Sequence, residues 1–463
     1  MFLVKKILLS LLLVTFILTS AFSAPKYVFL FIGDGMALPQ IKAAELYLES
    51  VGSDKRLIMT SLEAQGMTTT QSADSFITDS AAAGTALATG HKTNSGVICM
   101  NTTLTETYKT VAEIAKENGK KVGIISSVSI DHATPAAFYA HQPSRKNYYE
   151  IGMEMISTGF DLYGGGALLS PKGKKGDQPD IVDEAIKAGY KVIDNQVDFE
   201  KLSSKNEKVI IFNEALDGAQ AMQYEIDRQT EFSLADLTEK AINLLDNENG
   251  FFMMVEGGKI DWAAHANDAG TVIHDTLAFD DAVAKAVEFY NSHPKDTLIV
   301  VTGDHETGGL TIGFAGTQYS TYVDKIEKQT LSFQNFDAVY SHLLASNPNL
   351  TLNDLLPDLE KYFGLSKKDL NDMDIKKLET AISDSKKAKL PSTEYTYLLY
   401  GGYNPVSVTV THILNQKSGI SWTTYSHTGV PVATFAQGVY SSLFNGYYDN
   451  TDIGKNLINL YNN

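Results

Sequence analysis

Several stretches of this chain run from apolar residues into acids and histidines. Phe29-Leu30-Phe31-Ile32 ends in Gly33-Asp34-Gly35, Phe252-Met253-Met254-Val255 ends in Glu256, and Leu298-Ile299-Val300-Val301 ends in Thr302-Gly303-Asp304-His305. Ile124-Ile125 leads a few residues on to Asp131-His132-Ala133-Thr134. One Asp after a strand is usually a helix N-cap. Four such ends carrying carboxylates and imidazoles describe a site for several divalent cations instead. The run from Glu256 to His265 adds Asp261 and His265, four residues apart, which on a helix leave one face and can grip one ion. Mixed oxygen and nitrogen donors suit zinc; an all-oxygen set suits magnesium.

A third chemical feature is Thr78-Asp79-Ser80-Ala81-Ala82-Ala83-Gly84-Thr85-Ala86. Taken alone, a serine ahead of an alanine-rich helix is an N-cap. A helix N-terminus also gathers N–H donors and positive potential. Beside divalent cations, Ser80 therefore becomes a nucleophile whose hydroxyl a metal can deprotonate without a general base.

These residues need elements to hold them. Tyr27 to Ile32, Val122 to Val128, Phe251 to Val255 and Thr297 to Thr302 read as buried parallel strands, and Thr107 to Asn118, Ser233 to Asp246 and Asp275 to Asn291 as helices. Their alternation predicts an α/β fold with a doubly wound, mostly parallel central sheet flanked by helices. In open sheets of this kind ligands bind beyond the carboxyl ends of the strands, where the acids and histidines lie. Residues from about Phe314 to Pro391 are rich in Lys, Asp and Leu and read as a helical insertion or cap. A C-terminal β-containing segment follows, with strands expected over Val406 to Ile413 and Ser421 to Tyr425 and a closing helix over Asp452 to Tyr461.

Lys5, Lys6, the apolar run Ile7 to Leu18 and the small residues Ser20, Ala21, Ser23 and Ala24 read as a signal peptide over residues 1–24, so export to the periplasm or beyond is expected. That run is too short to span a bilayer, and no later stretch is long and apolar enough. The mature chain, 25–463, is read as one domain. The single Cys99 forms no intramolecular disulfide and reads as a buried hydrophobe. A net charge of −17 argues against nucleic acid or an anionic membrane as partner, and an anionic substrate would need local cations to reverse the field.

The chain resembles the alkaline phosphatases, through Gly33-Asp34-Gly35-Met36, Asp79-Ser80-Ala81-Ala82-Ala83-Gly84-Thr85-Ala86, His132-Ala133-Thr134-Pro135, Ser144-Arg145, Val255-Glu256-Gly257, Asp261 with His265, Thr302-Gly303-Asp304-His305 and His427-Thr428-Gly429. The blocks follow the family's order over nearly the whole mature chain. The resemblance implies two zinc ions and one magnesium per chain, the third being open to another divalent ion. Asp261, His265 and His427 would hold the first zinc, and Asp34, Asp304 and His305 the second. Asp34, Glu256 and Thr134 would serve the magnesium. Ser80 would be the nucleophile, forming a phosphoserine, and Arg145 would clamp two phosphate oxygens. His132 stands where some members have an acid, and Trp262 where a cationic residue or histidine is common. The other six histidines (His91, His141, His274, His293, His342 and His412) match no ligand position.

The implied reaction is hydrolysis of small phosphate monoesters of broad leaving group to an alcohol and phosphate, by a homodimer. Counting metals and Arg145 against the carboxylates and Asp79 leaves about two positive charges in the cleft, enough to attract a phosphate to an acidic protein. A sulfatase would show Cys/Ser-x-Pro-x-Arg, and Ser80-Ala-Ala-Ala-Gly does not fit. A phosphodiesterase of the same superfamily and a non-catalytic phosphate- or metal-binding protein are the competing readings.

Overall fold

A computed structural model describes residues 24–462. The segment read as a signal peptide lies, apart from Ala24, outside the described residues. In chain order the strands are β1 (Tyr27–Gly33), β2 (Ala64–Thr69), β3 (Lys121–Ser129), β4 (Leu162–Gly166), β5 (Tyr190–Ile193), β6 (Lys208–Phe212), β7 (Phe251–Gly257) and β8 (Thr297–Gly303). They continue with the short pieces β9 (Glu306–Thr307), β10 (Thr311–Ile312), β11 (Ile420–Ser421) and β12 (His427–Thr428), then β13 (Val432–Gly438) and β14 (Gly446–Asp449). Ten form one sheet in the order β14-β2-β13-β8-β1-β7-β3-β4-β6-β5. Only β13 runs against its neighbours in that sheet. The expected mostly parallel sheet is the one observed.

The helices used below are α1 (Leu38–Ser50), α2 (Ser80–Thr89), α3 (Val111–Glu117), α4 (Leu234–Leu245), α5 (Lys259–His265), α6 (Ala269–Ser292), α7 (Phe333–Ser346), α8 (Leu352–Phe363), α9 (Asp372–Ser385), α10 (Glu394–Tyr400), α11 (Pro405–Ser418) and α12 (Asn450–Asn462). Every residue of β1, β7 and β8 is buried, because helices cover both faces of the sheet. Phe29 and Phe31 enter one core with α1, α4 and α6. Val28, Leu30 and Ile32, pointing the other way, enter a second with α2, α3 and α12.

The register positions the chemistry. Gly33 of β1 pairs with Gly257 of β7 and with Gly303 of β8, and Ser126 of β3 pairs with Glu256 of β7. Asp34, Glu256 and Asp304 thus emerge together at the carboxyl edge of adjacent central strands. The antiparallel pair β12–β9 sets His427 opposite Thr307, so the distant C-terminal histidine joins the same edge.

Helices α7, α8 and α9 occupy the segment expected to be helical, and share a core that also takes Val406, Val410, Ile413 and Leu414 of α11. This corrects the strand expected over Val406 to Ile413. The run Val-Ser-Val-Thr-Val-Thr alternates like a strand, yet its core-facing residues fall at helical spacing. Asn404 caps the Val406 N–H at 2.9 Å, and Pro405 takes the first helical position, where its missing N–H costs nothing. The strand expected over Ser421 to Tyr425 shrinks to β11, because the Thr423 and Thr424 N–H groups turn to the Gly308 carbonyl. Helix α12 matches the expected closing helix.

Candidate active site

Asp79, not Ser80, caps α2: its Oδ1 accepts the Ala82 N–H at 3.1 Å and the Gly96 N–H at 2.9 Å. Ser80 is the first helical residue, with its hydroxyl free of capping duty. Its Oγ lies 3.3 Å from His305 Nε2, at the positive end of the helix.

Around it stand three groups of donors. In the first, His265 Nε2 is 3.1 Å from His427 Nε2 and 3.4 Å from Asp261 Oδ2, and His427 Nε2 is 3.6 Å from Asp261 Oδ1. The Nδ1 of His265 donates to the Tyr425 carbonyl at 2.6 Å, and that of His427 to the Thr78 carbonyl at 2.8 Å. Carbonyls only accept, so Nδ1 carries a proton in both rings and each turns its Nε2 into the site, where a cation would take the place of any proton. In the second, His305 Nε2 is 3.4 Å from Asp34 Oδ1 and 3.3 Å from Asp304 Oδ2. Neither carboxylate oxygen has a hydrogen-bond partner in the protein. In the third, Asp34, Glu256 and His132 converge, and the Thr134 hydroxyl donates to Asp34 Oδ2 at 3.3 Å. Glu256 Oε1 is likewise buried without a partner.

Tetrahedral ligands about 2.0–2.1 Å from zinc stand about 3.3 Å from one another, so the first two groups already have the edge lengths of zinc sites. Facing lone pairs and unpartnered buried carboxylate oxygens fit divalent cations and little else. Backbone geometry enforces the approach. The Gly35 and His305 N–H groups hold Asp304 Oδ1 at 3.1 and 2.8 Å. Gly35 itself adopts φ +72°, and a Cβ there would meet Asp261 Cα at 2.8 Å.

The electrostatics agree. Burial, then the neighbouring carboxylates, push Asp34 and Asp304 well above the ordinary carboxylate range. Burial lifts Glu256 to about 7. Burial, helped by Arg145, drives His132 down to about 3, which keeps it neutral. Burial and the imidazole of His427 hold His305 well below its usual value. Asp261 resists its burial because three imidazoles face it, and it carries His265 up to about 9 in return. A carboxylate cluster this deep ionises readily only around cations.

Arg145 closes the site. Its Nη1 donates to Asp79 Oδ2 at 2.9 Å and its Nη2 to His132 Nε2 at 3.2 Å. Trp262 meets His132 edge-to-face at 5.7 Å. The residues assigned roles from the sequence thus gather here, but Asp131, one of the strand-end acids, turns away to accept the Leu169 N–H at 2.9 Å. Four neighbours carry no motif and were missed. Ser126 donates a very short hydrogen bond to Glu256 Oε2, Thr307 donates to Asp261 Oδ1, and Lys259 pairs with Asp217 in full burial.

The fold and site define a metal-dependent α/β enzyme with a serine at the carboxyl edge of its sheet. Residues 25–462 match the family described as "Alkaline phosphatase". The chain is 32% identical over 446 residues to alkaline phosphatase 3 of Bacillus subtilis (strain 168), covering 93% of this chain and 88% of that one. Among solved structures it is similar to the cold-active alkaline phosphatase of Shewanella sp., with TM-score 0.79, 29% identity and coverage of 94% and 99%. It is also similar to a histidine-to-glutamate mutant of the TAB5 alkaline phosphatase with Mg bound in the M3 site, with TM-score 0.67, 26% identity and coverage of 95% and 99%. The chain belongs to the alkaline phosphatase family, and is a phosphomonoesterase that uses divalent metals.

Proposed function

We propose that this chain hydrolyses phosphate monoesters of broad leaving group by two in-line displacements through a phosphoserine at Ser80. The observation that carries this is the position of Ser80 Oγ, released from capping by Asp79 and 3.3 Å from His305 Nε2 at the mouth of the donor groups. In the first step the Ser80 Oγ–P bond forms, and the ester oxygen leaves as the alcohol, taking a proton. In the second a water adds to phosphorus from the side the alcohol left, opposite Oγ, and the Oγ–P bond breaks as Oγ regains a proton. The helix N-terminus stabilises negative charge on Ser80. Arg145 offers a fork to two phosphate oxygens, which a monoester has free and a diester lacks.

We assign two zinc ions to Asp261, His265, His427 and to Asp34, Asp304, His305, and magnesium to Asp34, Glu256 and Thr134. When bound, such ions lower the pKa of serine and water and neutralise charge on the attacking and leaving oxygens. His132 brings an imidazole to the third position. The TAB5 mutant with Mg in its M3 site carries glutamate in place of a histidine, so this chain's histidine favours a less strict magnesium preference. Export rests on the signal-like first 24 residues, and a homodimer on the family likeness. Residues 25–463 are assigned to one phosphatase domain, capped by the inserted helices of 314–391.

The test is to load the purified protein with zinc and magnesium, turn over an aryl phosphate, and quench in acid. Phosphate should be recovered on Ser80, and Ser80→Ala should lower kcat by about a thousandfold or more. Equal rates for chelated and loaded protein, or phosphate trapped on another residue, would overturn the proposal.

A further inference from the structure

Lys259 is buried to 1% exposure, and its Nζ lies 2.6 Å from Asp217 Oδ2. A buried ion pair gives little net stability, since apolar residues of similar volume usually do as well. Its place in the fold is more informative. Lys259 begins α5, the helix that carries Asp261 and His265. Its ammonium lies over two aromatic faces, 3.7 Å from the Tyr224 ring centroid and 4.9 Å from that of Trp262. Trp262 in turn packs against the His132 ring in a T-shaped pair, at 5.7 Å and 76°. His132 then accepts the second amino group of Arg145 at 3.2 Å.

We propose that Lys259 and Asp217 are positioning residues for Arg145, acting through Trp262 and His132. The guanidinium has two anchors. Asp79 holds one nitrogen directly, and the other is held by an imidazole that needs a wall behind it. The indole is that wall, and the buried ammonium, itself fixed by Asp217, pins the indole by a cation–π contact strengthened by the absence of water. Tyr224 makes a second cation–π contact that also holds the ammonium in place. Without the pair, Trp262 gains freedom, His132 can turn, and Arg145 meets phosphate with one anchor in place of two. This inference rests on the role of Arg145 in the proposed function.

The experiment replaces both charges at once, Lys259→Met with Asp217→Leu, so that no orphan charge is left in the core. KM for an aryl phosphate and the inhibition constant for inorganic phosphate should each rise about fivefold to tenfold, with kcat no lower than half. Lys259→Arg, which keeps a cation over the indole, should keep KM within about twofold. The chain has two tryptophans, so in a Trp422→Phe background the emission of Trp262 should shift when the ammonium is removed. A folded double variant with wild-type KM and unshifted emission would overturn the inference. If the double variant does not fold, Trp262→Leu must reproduce the rise in KM, and its failure to do so would also overturn it. Wild type and Arg145→Ala run alongside. If wild type is inactive, or Arg145→Ala binds phosphate as well as wild type, the functional proposal has failed rather than this relay.

Discussion

Asp79 does two jobs that its chemistry allows to be separated. One carboxylate oxygen caps α2 and holds the Gly96 N–H, and the other pairs with Arg145. Asp79→Asn keeps an oxygen for the cap and removes the charge that Arg145 needs. Its unfolding midpoint should stay near wild type while phosphate inhibition weakens. Asp79→Ala should lose phosphate affinity too, and also about 1 kcal/mol of stability with the cap, which a urea titration would read. Equal stability for the two variants would contradict this division of labour. The same residue explains how far the site was legible. Asp34, Glu256, Asp261, His265, Asp304 and His305 are readable because each follows an apolar run or shares a helix face. Ser80 looked like a cap until the cap was found next door. Ser126, Thr307 and Lys259 stayed invisible because an isolated serine, threonine or lysine has no pattern, and only the register of β3 on β7 and the packing of α5 show what each one touches.

Elements differ in how clearly they write themselves in sequence. Central strands are buried on both faces and read as unbroken apolar runs, so β1, β3, β7 and β8 were found nearly to the residue. At the other end of the sheet, β13 and β14 are short and mixed in composition, and their pairing is decided by neighbours distant in sequence. In α11, β-branched residues imitate a strand, and the helical period appears only once its packing partners are known. The loop that delivers Arg145 is held by an element contact of another kind. His141 sits between Glu113 of α3 and Glu154, at 3.4 and 3.6 Å. Burial alone would lower its pKa, but the two carboxylates raise it to about 9. A pKa raised in the folded state stabilises fully below the ordinary value of about 6.5 and ceases to do so as pH climbs through about 9. His141→Gln should therefore lower the unfolding free energy read by urea titration by about 1–2 kcal/mol at pH 6, and hardly at all at pH 10. A constant penalty at both pH values would show that the charge of His141 is not the clamp.

For the molecule as a whole, the metal site is a liability that its ligands remove. A chain of net charge −17 concentrates four of its carboxylates at one sheet edge, buried and close together. With the cations gone, Asp34 and Asp304 are pushed well above the carboxylate range and Glu256 to about 7. The sign follows from linkage. Groups whose pKa is raised on folding stabilise the protonated protein, and that contribution fades as pH climbs from their unfolded values near 4 through the folded ones. Chelated protein should thus unfold at progressively lower temperature between about pH 4.5 and 7. Loaded protein should behave oppositely, because metal binding requires those protons to leave and strengthens as pH rises. Each site held at about a thousand times its Kd adds about 4 kcal/mol, so three sites open a wide gap in Tm at neutral pH. The gap should close towards pH 4.5, where protons compete for the same oxygens and the imidazoles charge. Calorimetric Tm curves with and without chelator, recorded from pH 4.5 to 8, provide the check. Parallel curves would mean that the buried carboxylates do not hold the ions.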